Sequence, residues 1–385
     1  MSYTMEQVCP VLFGAGAIEE IGQKIADFGA KKVMMVCDPG VKACGIGPRI
    51  EKLIKDAGFE LLVYDEVLSD PPHTMVDEIV DWARKEEIDL VVGVGGGSSM
   101  DTGKAIGFMM KHPGSIRDWM QMETDFASVP IICVPTNAGT GSESTQFCVI
   151  TDTINNFKGG IFIKAALAIV DPELTVSAPP SVTAFCGLDA FAHAAEALTT
   201  NLESEKCDVL AAASLSKIMK YLPICMEDPG NIEARTQMAL ASNFAGQAFQ
   251  ECNVHFGHGV AEPVGAWIHE PHGLVCAWAT PATCEYLGDC ADIKYIKKIA
   301  DPIGVDYSDI EEDGPAIGKR CAEAVRELMR VCKVPSYADR GHSREEVMGA
   351  LPDVASSFHM DFCPTEITYE MAEKYLASTY DNYSL

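Results

Sequence analysis

Asp89-Leu-Val-Val-Gly-Val-Gly-Gly-Gly-Ser-Ser-Met-Asp101 is the stretch on which the reading of this chain turns. Its apolar first half has the length and composition of a buried parallel strand, and its glycine-rich second half opens into a helical pattern. At such a strand-to-helix turn, free backbone amides and the helix dipole can cradle a pyrophosphate that side chains would obstruct. Gly95, Gly96, Gly97 and Ser98 are therefore candidate contacts. The run is not the G-x-G-x-x-G fingerprint, and glycine-rich turns of this kind also occur with no ligand.

Working outward, Lys32-Val-Met-Met-Val-Cys37 and Val129-Pro-Ile-Ile-Cys-Val-Pro135 read as two more buried strands. Strands alternating with helical patterns predict a doubly wound, Rossmann-like parallel sheet, with ligands at the strand ends. Asp38, at the end of the first of these strands, is placed to accept hydrogen bonds from an adenosine ribose and to repel a 2'-phosphate, which favours NAD over NADP. Asp38-Pro-Gly40 is equally good turn chemistry. The loop Thr136-Asn-Ala-Gly-Thr-Gly-Ser-Glu143 offers hydroxyls and amides at the same sheet edge, or is simply a loop of small residues. Past Asp171 to Pro180 the pattern becomes helical, with candidates at 183–200, 205–221, 233–250 and 315–332. The expected domains are thus residues 1–181, a dinucleotide-binding α/β unit, and 182–385, an all-helical unit.

The 385 residues carry 56 acidic against 29 basic side chains, a net charge of -27, so nucleic acid and anionic membrane surfaces are repelled. No leader-like segment and no stretch near the ~20 apolar residues of a spanning helix is evident, so neither export nor membrane insertion is expected. The 15 cysteines are scattered singly, which suits reduced thiols in a cytoplasmic setting better than a disulfide framework.

In the helical half, Gly187-Leu-Asp-Ala-Phe-Ala-His-Ala-Ala-Glu196 places Asp189 and His193 four residues apart on one helix face among alanines. Such a pair is half a metal site or an ordinary helical pair. Four of the nine histidines then fall between His255 and His272, a cluster hard to assign to core filling. One carboxylate with imidazoles suits iron(II) or zinc(II), whereas magnesium or calcium asks for more oxygens.

With Asp38-Pro-Gly40, Gly95-Gly-Gly-Ser-Ser-Met-Asp101, Pro135-Thr-Asn-Ala-Gly-Thr-Gly-Ser-Glu143, Asp171-Pro-Glu-Leu174, the Gly187 to Glu196 run and Pro271-His-Gly273 in order, the chain resembles the iron-containing alcohol dehydrogenases from Phe13 to about Tyr380. The resemblance implies metal ligands at Asp189, His193, His258 and His272. It implies cofactor contacts at Asp38, Gly96, Gly97, Ser98, Asp101, Thr136 and Thr140, with Lys158 a looser match. It further implies a dehydroquinate synthase-like architecture and an NAD-dependent alcohol dehydrogenase or aldehyde reductase acting on a small alcohol or aldehyde, working as a homo-oligomer, with Met1 to Phe13 a candidate intersubunit strand. A polyol dehydrogenase, a lyase-like relative and an NAD-binding assembly protein with a structural metal are the rival readings.

Two positions depart from the family pattern. Glu262 stands where a histidine is usual, and His255 where a glycine is usual. On a continuous helix both fall on the face of His258, so both are candidate catalytic residues on a proton path, with Glu262 alternatively orienting a ligand histidine. Phe362-Cys-Pro-Thr365 also lacks the family's Asn-Pro-Arg.

Overall fold

The computed structural model describes residues 7–120, 122, 127–155 and 157–384, with the Phe157 side chain left out. The chain forms two compact units, Met1–Ala178 and Pro179–Leu385.

Unit 1 contains strands β1 Val11–Phe13, β2 Lys32–Cys37, β3 Glu60–Tyr64, β4 Leu90–Gly95, β5 Ile131–Pro135, β6 Phe147–Asp152, β7 Phe157–Phe162 and β8 Leu167–Val170. Its helices are α1 Ile21–Asp27, α2 Pro39–Ala43, α3 Ile46–Asp56, α4 His73–Lys85 and α5 Gly97–Met109. Six strands make one sheet in the order β1-β8-β5-β4-β2-β3, and every neighbouring pair is parallel. From β2 the chain winds outward to β3 on one side and to β4, β5 and β8 on the other. The switch point therefore lies between the carboxyl ends of β2 and β4, where an open parallel sheet leaves a crevice for ligands. Asp38 follows β2 and Gly95 ends β4. β6 and β7 form a separate antiparallel hairpin that periodicity did not reveal.

The sheet stays in place because its apolar faces are covered. Val33, Met35, Val92, Val94, Ile132 and Val134 pack with Ile18, Ile50 and Ile54 in one buried cluster. α5 lies directly on β4, since a Cβ at Gly103 would stand 3.0 Å from the Gly93 Cα. β1 is an edge strand pairing with β8 through Val11↔Ala168, and residues 1–6 of the proposed intersubunit segment lie outside the described residues.

Unit 2 is helical throughout its described residues: α6 Pro180–Ala197, α7 Glu205–Glu227, α8 Ile232–Cys252, α9 Phe256–Ile268, α10 His272–Cys290, α11 Ile293–Ile303, α12 Gly314–Val331, α13 Arg344–Met348, α14 Leu351–Ala355 and α15 Tyr369–Asp381. α7 is long and apolar enough, by length and composition, to cross a membrane. Its Ala211, Leu215, Ile218 and Leu222 are instead buried, and the helix packs on α6 and α8. α10 is buried over most of its length, from Leu274 to Gly288.

Close approach of α10 and α12 depends on three glycines. A Cβ at Gly288 would meet Gly314 O at 2.5 Å and Gly318 Cα at 2.8 Å, and both are backbone atoms that cannot swing aside. Gly288→Ala is expected to force the pair apart and to destabilise unit 2 by about 1–3 kcal/mol, read as a lowered thermal midpoint in calorimetry.

Candidate metal centre and dinucleotide loop

Asp189 and His193 sit one turn apart on α6, with His193 Nδ1 3.8 Å from Asp189 Oδ1. Both are buried, in a helix whose neighbouring residues are mostly alanine, so other helices can approach closely. His258 comes from the first turn of α9 and His272 from the first residue of α10. His272 Nε2 reaches within 3.6 Å of Asp189 Oδ1, and the His193 and His258 rings stack at 4.5 Å. One ligand atom from each of the four residues falls within 4.8 Å of the others.

Glycines make this convergence possible. A Cβ at Gly273 would stand 2.5 Å from Phe185 O, so Pro271-His-Gly273 seats the start of α10 against α6. A Cβ at Gly257 would stand 2.4 Å from Glu196 Oε1. That carboxylate, three residues past His193 on α6, is the organiser of the site. Glu196 Oε2 accepts the backbone N–H of His255 at 2.7 Å and of His258 at 3.1 Å, and Oε1 lies 2.8 Å from His258 Nδ1. An Nδ1–H donated to Glu196 leaves His258 Nε2 free to ligate, the usual device for orienting a metal-binding imidazole.

The residues fit a divalent cation. Asp189 Oδ1 and His193 Nδ1 are buried without a hydrogen-bond partner, a costly state for polar atoms unless an ion takes them up. Burial works to raise the Asp189 carboxyl, but the imidazoles of His193, His272 and His258 outweigh it and hold it ionised. Burial dominates at His193 and pushes it down to about 4, so this ring is neutral, as a ligand must be. Burial also opposes charge at Glu196 and His258, yet their mutual attraction prevails, lowering Glu196 to about 2 and raising His258 to about 9. Phe249 stacks on His193 at 4.4 Å and forms an apolar wall.

The two departures from the family pattern fare differently. His255 is not on the α9 face with His258, as a continuous helix required; it is the residue before the helix, with φ -137 and ψ -119. Its ring is fully buried, and Nε2 lies 2.8 Å from Thr199 Oγ1, which itself donates to Ala195 O. That contact ties the residue before α9 to Thr199, just past the end of α6. Glu262 does lie on α9, with 41% of its side chain exposed, and its Oε2 is 3.2 Å from Nε2 of buried His359. Burial would raise Glu262, but His359 brings it down to about 2. His359, whose ring centre is 6.2 Å from that of His258, had no signal in the sequence, because about a hundred residues separate it from α9. Cys276 was likewise passed over, although its Sγ is 3.4 Å from His272 Nε2 and 3.8 Å from His258 Nε2. His269, Trp267 and Phe147 do not join this cluster: His269 and Trp267 are exposed, and Phe147 packs on Phe162 in the unit 1 hairpin.

In unit 1 the glycine turn is a cradle with no room for side chains. Gly95 has φ +145, and a Cβ there would meet Ser99 Oγ at 2.6 Å. A Cβ at Gly96 would lie 2.8 Å from Asn137 Nδ2, and at Gly97 3.1 Å from Thr140 Cγ2. Thr136 N–H donates to Gly95 O, which joins the two loops. Ser98, at the start of α5, accepts the Thr102 hydroxyl through its carbonyl. Asp38 caps α2 through Oδ1, which accepts from Gly40 and Val41 N–H, and Ser99 Oγ donates to Oδ2 at 3.3 Å. Asp-Pro-Gly is thus a turn former here, with its second oxygen turned toward the glycine loop.

Asp101 and Lys158 are engaged by neighbouring protein groups. Asp101 is buried with Oδ1 accepting from Ser142 Oγ at 2.7 Å and Oδ2 from Val149 N–H at 3.0 Å, so it positions the second loop. Lys104, fully buried, donates to Ser142 O, Ser142 Oγ and Phe147 O and completes that support. Lys158 Nζ is held by Asp70 at 2.7 Å.

Residues 10–172 match the iron-containing alcohol dehydrogenase family and residues 183–380 its C-terminal region. This chain belongs to the iron-containing alcohol dehydrogenase family. It is an oxidoreductase of that family, acting on alcohols. It is 34% identical over 352 residues to a choline dehydrogenase of Bacillus subtilis, covering 90% of this chain and 87% of that protein. It is 33% identical over 341 residues to an NAD-dependent methanol dehydrogenase of Bacillus methanolicus, covering 87% and 89%. Its fold is similar to that of sulfoacetaldehyde reductase from Bifidobacterium kashiwanohense in complex with NAD+, with a TM-score of 0.86, 29% identity, and 98% and 100% coverage.

The Glu196–His258 pair gives a pH test. A carboxyl lowered from 4.5 contributes stability that is full above 4.5 and lost as pH falls toward 2; an imidazole raised from 6.5 contributes below 6.5 and loses it as pH rises through 9. In the metal-free protein, the melting difference between wild type and Glu196→Gln is therefore expected to be greatest between pH 4.5 and 6.5. In the loaded protein the same substitution should weaken metal affinity about 10–100-fold, measured by chelator competition.

Proposed function

We propose that this chain is an NAD(H)-dependent dehydrogenase that interconverts a small primary alcohol, diol or hydroxy acid with its aldehyde, using iron(II) or zinc(II) held by Asp189, His193, His258 and His272. The observation that carries the reading is the convergence of those four ligand atoms within 4.8 Å, with Asp189 Oδ1 and His193 Nδ1 buried and unpartnered. When bound, the divalent ion supplies Lewis acidity toward the substrate oxygen and the nicotinamide accepts or donates the hydride.

The chain's own residues do the remaining work. Gly95, Gly96 and Gly97 admit the pyrophosphate, and the start of α5 supplies amides and dipole to it. Asp38 Oδ2 accepts from the ribose, while Thr136 and Thr140 border the cradle. Asp101 and Lys104 hold the Thr136–Glu143 loop in place. Glu196 orients His258, and His255 fixes the turn that presents it. Phe249 gives the substrate an apolar wall. Glu262, ionised and with His359 beside it, is the group placed on a proton path near His258.

A second reading of the substrate is an alcohol bearing a positive charge. The partly exposed, ionised Glu262 carboxylate supports it, as does the similarity to a choline dehydrogenase. Glu262→Gln is then expected to lower kcat/KM for choline more than for ethanol; an equal effect on both removes this reading. The fifteen unpaired cysteines support a reducing, cytoplasmic setting, and β1, the edge of the sheet among the described residues, offers a second copy a place to pair.

Protein purified anaerobically, stripped and reloaded with iron or zinc, is expected to oxidise NADH with short aldehydes only when the ion is restored. A fully loaded protein that binds NADH yet turns over no aldehyde would count against the dehydrogenase reading. Gly97→Val is expected to abolish NADH binding by calorimetry while leaving metal content unchanged, because the new side chain meets Thr140. Asp38→Ala should raise affinity for NADPH relative to NADH, since the repulsive carboxylate is gone.

A further inference from the structure

One side chain beside the four-residue ligand cluster, in reach of two of its members, is neither carboxylate nor imidazole. Cys276 lies four residues after His272 on α10, hence on the same helix face, and it is fully buried. Its Sγ stands 3.4 Å from His272 Nε2 and 3.8 Å from His258 Nε2. Both nitrogens belong to rings of the proposed ligand set, and the His258 Nε2 is the one left free by Glu196.

Those separations are informative in themselves. With metal–nitrogen bonds of about 2.1 Å and metal–sulfur bonds of about 2.3 Å, a sulfur and a nitrogen bound to one ion sit about 3.1–3.8 Å apart over the usual angles. Cys276 meets that condition toward two ligands at once. Asp189 Oδ1 and His193 Nδ1, each more than nine-tenths buried, lie unpartnered in the neighbouring cluster, and Cys276 also hydrogen-bonds to the Asp189 carboxylate.

We infer that Cys276 is a fifth donor to the ion held by Asp189, His193, His258 and His272, binding through its sulfur. The inference rests on the metal-enzyme reading above and deepens it. On binding, the thiol S–H bond is replaced by a sulfur–metal bond and the proton leaves to solvent, with no change of oxidation state. A soft donor in a set otherwise of nitrogen and oxygen shifts preference toward zinc and cobalt and away from hard ions such as manganese. It also places an oxidisable sulfur in contact with the ion.

The test uses the full-length protein loaded with one equivalent of ion. Zinc-edge X-ray absorption of the wild type is expected to require one sulfur scatterer at about 2.3 Å. The cobalt(II) protein should show a near-ultraviolet sulfur-to-metal charge-transfer band that is lost in Cys276→Ser and kept in Cys186→Ser. Cys276→Ser should weaken zinc binding about tenfold or more while leaving manganese binding little changed. A zinc spectrum fitted by nitrogen and oxygen alone, or a cobalt band that survives Cys276→Ser, overturns the inference and leaves the four-ligand site standing. Failure of the wild type to take up any divalent ion overturns both. The wild-type spectrum decides the matter even if the variant does not fold.

Discussion

A carboxylate with no access to water organises unit 2. Glu196 is buried and ionised, and it stays so because two backbone N–H groups and the His258 imidazole satisfy its oxygens. That one group ties α6 to the turn before α9. It fixes where His255 lies, which nitrogen of His258 remains open, and why residue 257 has no side chain. The neighbouring Asp189 is the complementary case. It carries its charge into the same interior with one oxygen unsatisfied, a cost that a bound cation would relieve.

Unit 1 shows the same economy on a sheet. The parallel order puts the ends of β2 and β4 beside each other at the switch point, and Gly93 and Gly103 bring α5 down onto β4. The cradle then needs support from behind. Asp101 and Lys104 supply it, two opposite charges in the interior that bond to Ser142, Val149 and Phe147 backbone or side-chain atoms rather than to solvent. In both units the groups that face a ligand are held by buried ionised groups behind them, and such groups are expensive to bury unless every oxygen and proton finds a partner.

Much of this was legible in local pattern. Lys32–Cys37 has the bounds of β2, and the helical candidates near 205, 233 and 315 start within a residue of α7, α8 and α12. Those elements are long or continuously apolar, so their own residues declare them. β3 and β8 are short and are made strands by pairing with strands distant in the sequence, whereas β6 and β7 pair locally and are broken up by polar and glycine residues such as Lys158, Gly159 and Gly160. The α9 face was misjudged at His255 because the helix begins one residue later, and helix starts are set by capping and packing rather than by periodicity. α7 is long and apolar enough to pass for a spanning helix, and its packing on α6 and α8 is what makes its apolar residues a core face.

What the sequence determined by itself was the menu. It set out a parallel α/β unit followed by a helical one, a glycine turn after a strand, a carboxylate and an imidazole one helical turn apart, and a later cluster of histidines. These depend on short-range periodicity, spacing and steric demands, which a linear string records. Tertiary structure alone decided which of those histidines converge, that Glu196 stands behind His258, that Asp101 and Lys158 are engaged elsewhere, and that His359 and Cys276 belong to the same neighbourhood. Those facts depend on contacts between residues far apart in the chain, and the partners that offset the cost of burying these charges are in place only after the helices have packed.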